Sequence, residues 1–304
     1  MRIVDGKAHA VSSLGAPLPP IELSIEIFPP KTAEAEARLW RNLELFAAVS
    51  PRFISVTCGA GGTGSDGTFP LVRGVQERLG TPAAAHLTCA CASREEIDGI
   101  ARRYWAAGIR RIVALRGDAP KDGGPYRPRA DGYAYASDLI TGLRRIADFE
   151  INAACYPEVH PEAESALADL ENLKRKVEAG ATRVVTQYCF DTDRILRFRD
   201  AMEIAGIRAE FVPGIMPIHN FTQIRRFSQG CGASIPAWLE QLFAGVDEGS
   251  PLHSMLAASV AVEQCRRLAA EGLTQFHVYA LNRAELPLAL LRLLGITAPI
   301  PAAA

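Results

Sequence analysis

The chain predicts a single-domain α/β protein, a closed (β/α)8 barrel of the TIM type. Three observations carry that expectation. Eight short apolar runs alternate with helix-like stretches, the pattern of parallel βαβ units. The length of 304 residues suits the ~250 or more that eight such units occupy. Nearly every run also ends in a polar or ionisable residue. The endings are Glu26, Thr57, His86, Arg116 with Asp118, Tyr156 with His160, Gln187, Met216 with Pro217, and Asn282 with Arg283. Such barrels gather their chemistry at the C-terminal strand ends, so one pattern predicts both the fold and the place of the site.

The first strand is expected at Glu22–Phe28, stopped by Pro29-Pro30, which cannot continue a ladder. The helix after it puts Leu39, Leu43 and Phe46 on one face. The second strand, Arg52–Cys58, runs into Gly59-Ala60-Gly61-Gly62. After the third, Ala84–Cys91, Ser93 and Glu96 read as a capping box. The fourth, Arg111–Leu115, meets Arg116-Gly117-Asp118 and then a long Gly-, Pro- and Asp-rich loop, Ala119–Tyr135. A loop of that length in a compact domain is a candidate lid or cofactor loop. The fifth strand is Glu150–Tyr156. The helix after it should bury Leu167, Leu170, Leu173 and Val177, with Asp169, Asn172, Arg175 and Lys176 on its opposite face. The sixth and seventh strands are Arg183–Phe190 and Glu210–Met216. Residues 220–246 read as two short helices, 251–271 as a longer one, 275–281 as the eighth strand and 285–294 as the last helix. The continuous apolar character of the fourth, sixth and seventh strands suits strands covered on both faces. Residues 1–20 read as an N-terminal arm and 21–298 as the barrel.

Lys and Arg number 33 against 34 Asp and Glu, a net charge of −1. No long-range field therefore recruits nucleic acid or an anionic membrane. Hydrophobic residues at 48% and charged ones at 22% suit a soluble globular core. No run reaches the ~18–20 apolar residues that span a bilayer, and the first twenty residues make a poor signal peptide. Seven cysteines, an odd number and mostly within strands, point to reduced thiols and a cytoplasmic protein. Cys89 and Cys91 share one strand face, but no CxxC and no His at ligand spacing completes a site, so no metal is expected.

Glu26 lies between Ile25, Ile27 and Phe28. A carboxylate there either pairs with a polar group of a neighbouring strand or takes a raised pKa, which would suit a general acid. In Arg116-Gly117-Asp118 the glycine permits a tight turn and close approach to a ligand, the arginine a fork for phosphate or carboxylate, and the aspartate an acceptor. An ion pair at a strand end fits the same residues. Tyr156 and His160 offer stacking surface and donors. On spacing alone the polar face of Asp169, Asn172, Arg175 and Lys176 is solvated surface. Its helix starts directly after the Tyr/His loop, however, where amides and cations suit a phosphate. Thr57 and His86 sit in neighbouring strands and can converge. Gln187 is a buried amide in need of partners. The glycine run at 59–62 is neither a dinucleotide fingerprint nor a P-loop.

Ten stretches together resemble the catalytic barrel of the methylenetetrahydrofolate reductase family. They are SIEIFPPKT (24–32), FISVTCGAGGT (53–63), HLTC (86–89), ALRGD (114–118), YASDLI (135–140), AACYPEVHPEA (153–163), DLENLKRKVEAGA (169–181), TQYCFD (186–191), FVPGIMPIHNFTQ (211–223) and LNRAE (281–285). The resemblance implies an FAD enzyme reduced by NADH or NADPH. Methylenetetrahydrofolate then takes the hydride and leaves as 5-methyltetrahydrofolate, a ping-pong sequence feeding methionine synthesis. By the same resemblance, Glu26 is the general acid that opens the folate's five-membered ring to a 5-iminium cation, and Asp118 contacts pterin and flavin. Thr57, Cys58, Ala60, His86, Arg116, Gly117, Ala136, Tyr156, His160, Ala163, Asp169, Asn172, Arg175 and Lys176 match cofactor contacts. Gln187, Gln223, Phe227 and Arg283 match substrate contacts, Phe227 as a mobile aromatic. The family carries Tyr where this chain has Cys58, which removes a ring contact with the flavin. A homo-oligomer is implied as well. The S-adenosylmethionine-binding domain of animal relatives, and its inhibition, are not expected. A pterin methyltransferase barrel without FAD would need a zinc-ligand set that the chain lacks, and a catalytically dead barrel is disfavoured by Glu26, Asp118 and Gln187.

Overall fold

The computed structural model describes residues 18–58, 67–90, 92–118 and 126–296. Among them the order is β1 (Glu22–Ile27), α1 (Ala33–Ala47), β2 (Phe53–Val56), α2 (Thr68–Leu79), β3 (Ala83–Thr88), α3 (Arg94–Ala106), β4 (Arg111–Leu115), α4 (Ala136–Ile146), β5 (Glu150–Cys155), α5 (Ala166–Glu178) and β6 (Arg183–Thr186). There follow α6 (Thr192–Ile204), β7 (Glu210–Val212), β8 (Gly214–Ile215), α7 (Phe221–Cys231), α8 (Ala237–Phe243), α9 (Pro251–Ala270), β9 (Gln275–Tyr279) and α10 (Glu285–Leu293). All strand pairs are parallel, in the order β7-β6-β5-β4-β3-β2-β1-β9-β8. The expected strands are thus present, most of them shorter at the C-terminal end, where the chain leaves the ladder to form the rim.

The seventh predicted strand is divided. Pro213 has no N–H to give to a ladder, and it separates β7, which pairs with β6, from β8, which pairs with β9. The two ends of the strand order are therefore consecutive in the chain, and the barrel closes through Pro213. The Pro213 carbonyl accepts from His277 N at 2.9 Å. Gly214 N donates to Thr186 Oγ1 at 2.8 Å. A Cβ on Gly214 would stand 2.3 Å from the Thr186 carbonyl and 2.6 Å from the Tyr279 ring, so only glycine lets these strands close.

Successive strand residues point to opposite faces. Ile25, Ile27, Ile54, Val56, Ala85, Ile112 and Ile151 face the helices and are buried with Leu39, Leu43 and Phe46 of α1. Phe276 and Val278 of β9 pack with Cys265 and Leu268 of α9. The interior residues form layers. At the N-terminal end Arg183 Nη1 meets Glu210 Oε2 at 2.5 Å and Gln275 Oε1 at 2.8 Å, and Arg52 meets Glu22 at 3.0 Å and Glu210 at 3.1 Å. This charged plug closes the end away from the site. Above it Phe53, Ala84 and Val113 make a small apolar layer.

The helix starts follow capping chemistry. Thr32, Ser93, Ser165 and Asp191 each accept from a backbone N–H of the first turn, and Ser93 with Glu96 forms the full capping box. The burial expected for the helix after β5 is corrected at its first position: Leu167 is 66% exposed. Ala166 is the first residue of α5, and that turn meets the neighbouring loop through the opposite side of the helix, where Asp169 is buried. Leu173 is buried, and Leu170 and Val177 are partly so.

Candidate active site

A cleft of about 1500 Å³ opens at the C-terminal strand ends. Its floor is built by inward-facing residues of β1, β3 and β9. Glu26 Oε2 lies 3.3 Å from His86 Nε2 and 3.4 Å from His277 Nε2. His277 Nδ1 stands 2.7 Å from Ser24 Oγ. Burial raises the Glu26 carboxyl, but the imidazoles of His86 and His277 more than offset it and hold the group down at about 2. Of the two readings of Glu26, pairing with neighbouring strands therefore describes this open cleft, and the raised pKa does not. Ile25 and Ile27 misled because they face the helices, while Glu26 shares the interior with two histidines. Burial lowers His277 in turn. His277 was missed, although Gln275, His277 and Tyr279 alternate with Phe276 and Val278 at the period of a strand with a polar interior face.

Arg116 leaves the end of β4 and spans the rim. Its Nη1 and Nη2 form a fork on the Glu162 carboxylate, the second contact at 3.2 Å. Its Nε donates to the Gly117 carbonyl at 3.0 Å, and its plane lies 4.5 Å over the Tyr126 ring. Of the two readings of Arg116, the strand-end ion pair is the one present, with Glu162 engaging the fork. Gly117 has φ 91° and a site where a Cβ would crowd Ala90 at 3.0 Å and Thr88 at 3.1 Å, so a side chain fails there on two counts. Tyr126 and Tyr135, in the described part of the expected lid, both line the cleft. Neither these two nor Glu162 was singled out in the sequence.

The β5 end and α5 form the next wall. Tyr156 and His160 meet edge to face with ring centroids 4.6 Å apart. Asp169 Oδ2 accepts from His160 N at 2.8 Å, which ties helix to loop. Lys176 Nζ donates to the Ala154 carbonyl at 2.8 Å, and burial lowers its pKa. The polar face of α5 is thus cleft wall, with Asp169 buried, Asn172 and Lys176 half-buried and Arg175 exposed. Burial first, then the Arg116 charge, lowers His160, and burial pushes the Tyr156 phenol up to about 12.

On the far side, Gln187 Oε1 accepts from Tyr188 N at 3.0 Å. Its side chain also hydrogen-bonds with Tyr156, and both residues line the cleft. At the β1–β9 seam Asn282 Oδ1 accepts from Phe28 N and its Nδ2 donates to Phe28 O, both at 2.9 Å. Asn282 is therefore a clamp between strand ends.

The cleft brings together Glu26, Thr57, Cys58, His86, Arg116, Gly117, Asp118, Ala136, Tyr156, His160, Ala163, Asp169, Asn172, Arg175, Lys176, Gln187 and Phe227. Gln223 and Arg283 are exposed and stand outside its lining. Gln223 lies one turn before Phe227 on α7, on the same helix face. Ala60 and Cys91 fall outside the described residues. Among the described residues no three His, Cys, Asp or Glu side chains are grouped to hold a metal ion, and no helix is long and apolar enough to cross a membrane.

A parallel barrel with a deep cleft over its C-terminal strand ends, and a carboxyl held between two imidazoles on the floor, defines a (β/α)8-barrel enzyme. The chain belongs to the methylenetetrahydrofolate reductase family, whose model, "Methylenetetrahydrofolate reductase", matches residues 19–295. It is 47% identical over 276 residues to the 5,10-methylenetetrahydrofolate reductase of Escherichia coli strain K12, covering 91% of each chain. It is 33% identical to methylenetetrahydrofolate reductase (NADH) 1 of Arabidopsis thaliana, covering 97% of this chain and 51% of that one. Among solved structures it resembles an uncharacterized Clostridium thermocellum protein that binds two copies of 5-methyl-5,6,7,8-tetrahydrofolic acid. The TM-score is 0.60 at 14% identity, covering 90% of this chain and 94% of that one, a likeness of fold.

Proposed function

We propose that the protein reduces 5,10-methylenetetrahydrofolate to 5-methyltetrahydrofolate, with bound FAD and with NADH or NADPH as electron donor, both substrates using the same cleft in turn. The observation that carries this reading is Glu26, a carboxyl on the cleft floor set between two imidazoles in a chain of this family.

The residues present fit FAD. The cleft exceeds the roughly 300–1,000 Å³ of ordinary small-molecule sites. Arg175 and Lys176 bring cations to the wall at α5 for a pyrophosphate. Asp169 and Asn172 beside them suit hydroxyls, and Gly117, with no side chain, leaves its backbone open in the cleft lining. When bound, FAD supplies the hydride-carrying ring. The chain supplies orientation and charge. Gln187 offers its amide donor to an acceptor edge of pterin or nicotinamide. Asp118 faces the same space with a negative charge that favours a cationic folate. Phe227 supplies a ring for stacking, and Cys58 leaves room where the family has a tyrosine. Filling the cleft with ring systems expels water and strengthens the burial that already acts to raise Glu26. Glu26 then holds the proton that opens the folate ring. The reading includes a cytoplasmic homo-oligomer, as the resemblance implies.

One anaerobic titration tests it. The purified protein, supplied with FAD, should bleach near ~450 nm with a reduced nicotinamide nucleotide and recover its colour with methylenetetrahydrofolate, as a flavin carrier must. Glu26→Gln should keep the bleaching step and lose the recovery. A protein that stays colourless with FAD present sinks the reading. A variant that performs both steps unchanged removes Glu26 from its role.

A further inference from the structure

Tyr188 follows Gln187 at the end of β6, and its hydroxyl reaches α7. Tyr188 Oη lies 3.1 Å from Ser228 Oγ. Cys231 Sγ donates to the same oxygen at 3.3 Å. The Tyr188 ring is wedged edge-on against Tyr279 with centroids 6.1 Å apart. Tyr279 is itself fixed by its hydroxyl on the Thr186 carbonyl at 2.7 Å. The phenol therefore projects from a rigid part of the barrel.

The helix it meets has two working faces. Phe221, Ile224 and Ser228 form the buried stripe, in which Ser228, 2% exposed, is the polar member. The adjacent face, with Arg226, Phe227, Gly230 and Cys231, lines the cleft. Phe221 and Ile224 pack α7 against the barrel, and Glu248 anchors the start of the helix through Thr222 N at 2.8 Å and the Asn220 amide. A hydrogen bond is directional. The Tyr188 hydroxyl supplies that direction at the point where the buried face turns into the cleft face.

We propose that Tyr188 is a positioning residue for the substrate side of the cleft. Its hydroxyl sets the register of α7, and so the distance at which Phe227 and Arg226 stand from Gln187. Gln187 and Tyr188 are tied by a bond of their own, so the amide that reads the substrate and the helix that covers it are referenced to one point just beyond β6. The substrate half of this proposal rests on the function proposed above. FAD, held at the α5 wall, is not addressed by Tyr188.

The test uses Tyr188→Phe, which keeps the packed ring, and Ser228→Ala, which removes the partner from the other side. The first readout needs no substrate: the rate at which Cys231 is alkylated by iodoacetamide, followed by peptide mass spectrometry. The second is KM and kcat for methylenetetrahydrofolate, with FAD affinity measured by flavin fluorescence. Both variants should alkylate Cys231 several-fold faster. Both should raise KM roughly tenfold, the ratio that one buried hydrogen bond of about 1.4 kcal/mol represents, while kcat and FAD affinity change less than about twofold. The double variant should be no worse than Tyr188→Phe, because that change already removes the Ser228 contact together with the Cys231 one. Unchanged alkylation, or faster alkylation with unchanged KM, overturns the proposal. So does a parallel loss of KM, FAD affinity and thermal stability, which marks a general packing role. A wild-type enzyme that holds FAD but never reduces the folate sinks the reading of function, and the substrate half of this proposal falls with it; the alkylation rates alone then decide the joint between Tyr188 and α7.

Discussion

Glu26 shows how a single residue acquires its charge state. Its carboxyl is held at about 2 against an ordinary 4.5, with burial acting upward and His86 and His277 acting downward more strongly. A group depressed in the folded state binds fewer protons than in the unfolded chain. The stability it contributes is complete above about pH 4.5 and is lost as pH falls toward 2. The difference in unfolding free energy between the wild type and Glu26→Gln should therefore be flat above about pH 5 and shrink steadily below it, measured by urea unfolding at several pH values. Parallel curves down to pH 2 would mean that the two histidines do not hold the carboxyl down. His277→Ala takes away one of these partners and should move the Glu26 titration upward, read from the carboxyl stretch in infrared spectra.

At the scale of elements, the division of the seventh strand is what closes the barrel. β7 and β8 serve different neighbours, and Gly214 sits where β6, β8 and β9 come closest. Gly214→Ala places a methyl group against the Thr186 carbonyl and the Tyr279 ring. It should cost about 1–3 kcal/mol, the range for overpacking a filled core, read by denaturant unfolding. Because the Tyr279 hydroxyl is bonded to Thr186, the damage should also reach the cleft as weaker folate binding. A stable, fully active variant would show that the seam has slack.

The whole molecule separates stability from chemistry along the barrel axis. The plug of Arg183, Glu210, Gln275 and Arg52 lies at the N-terminal end, and Glu26 with the cleft at the other, the division of labour expected of this fold. Arg183→Met leaves Glu210 to Arg52 and Gln275 alone and should lower stability by about 1–3 kcal/mol, the cost of leaving plug groups without one of their hydrogen-bond partners. FAD affinity and KM should stay unchanged, since Phe53, Ala84 and Val113 lie between. A variant that loses FAD in proportion to its stability would show that the two ends are not independent.

The sequence by itself determined the fold class, the order of the elements and most of the cleft. Those follow from local causes: the alternation of apolar runs, capping residues such as Ser93, prolines that stop strands, and polar residues at strand ends. Most of the residues matched through the family resemblance gather in one cleft, Gln223 and Arg283 excepted, because parallel strands bring all their C-terminal ends to one face. Only the tertiary structure decided which neighbours those residues meet. It put His86 of β3 and His277 of β9, both far from it in the chain, beside Glu26, engaged the Arg116 fork with Glu162, made the polar face of α5 a wall of the cleft, and set the Tyr188 hydroxyl on α7. Leu167 faces outward for the same reason. Charge state and burial depend on atoms brought close from anywhere in the chain, and no local pattern contains those distances.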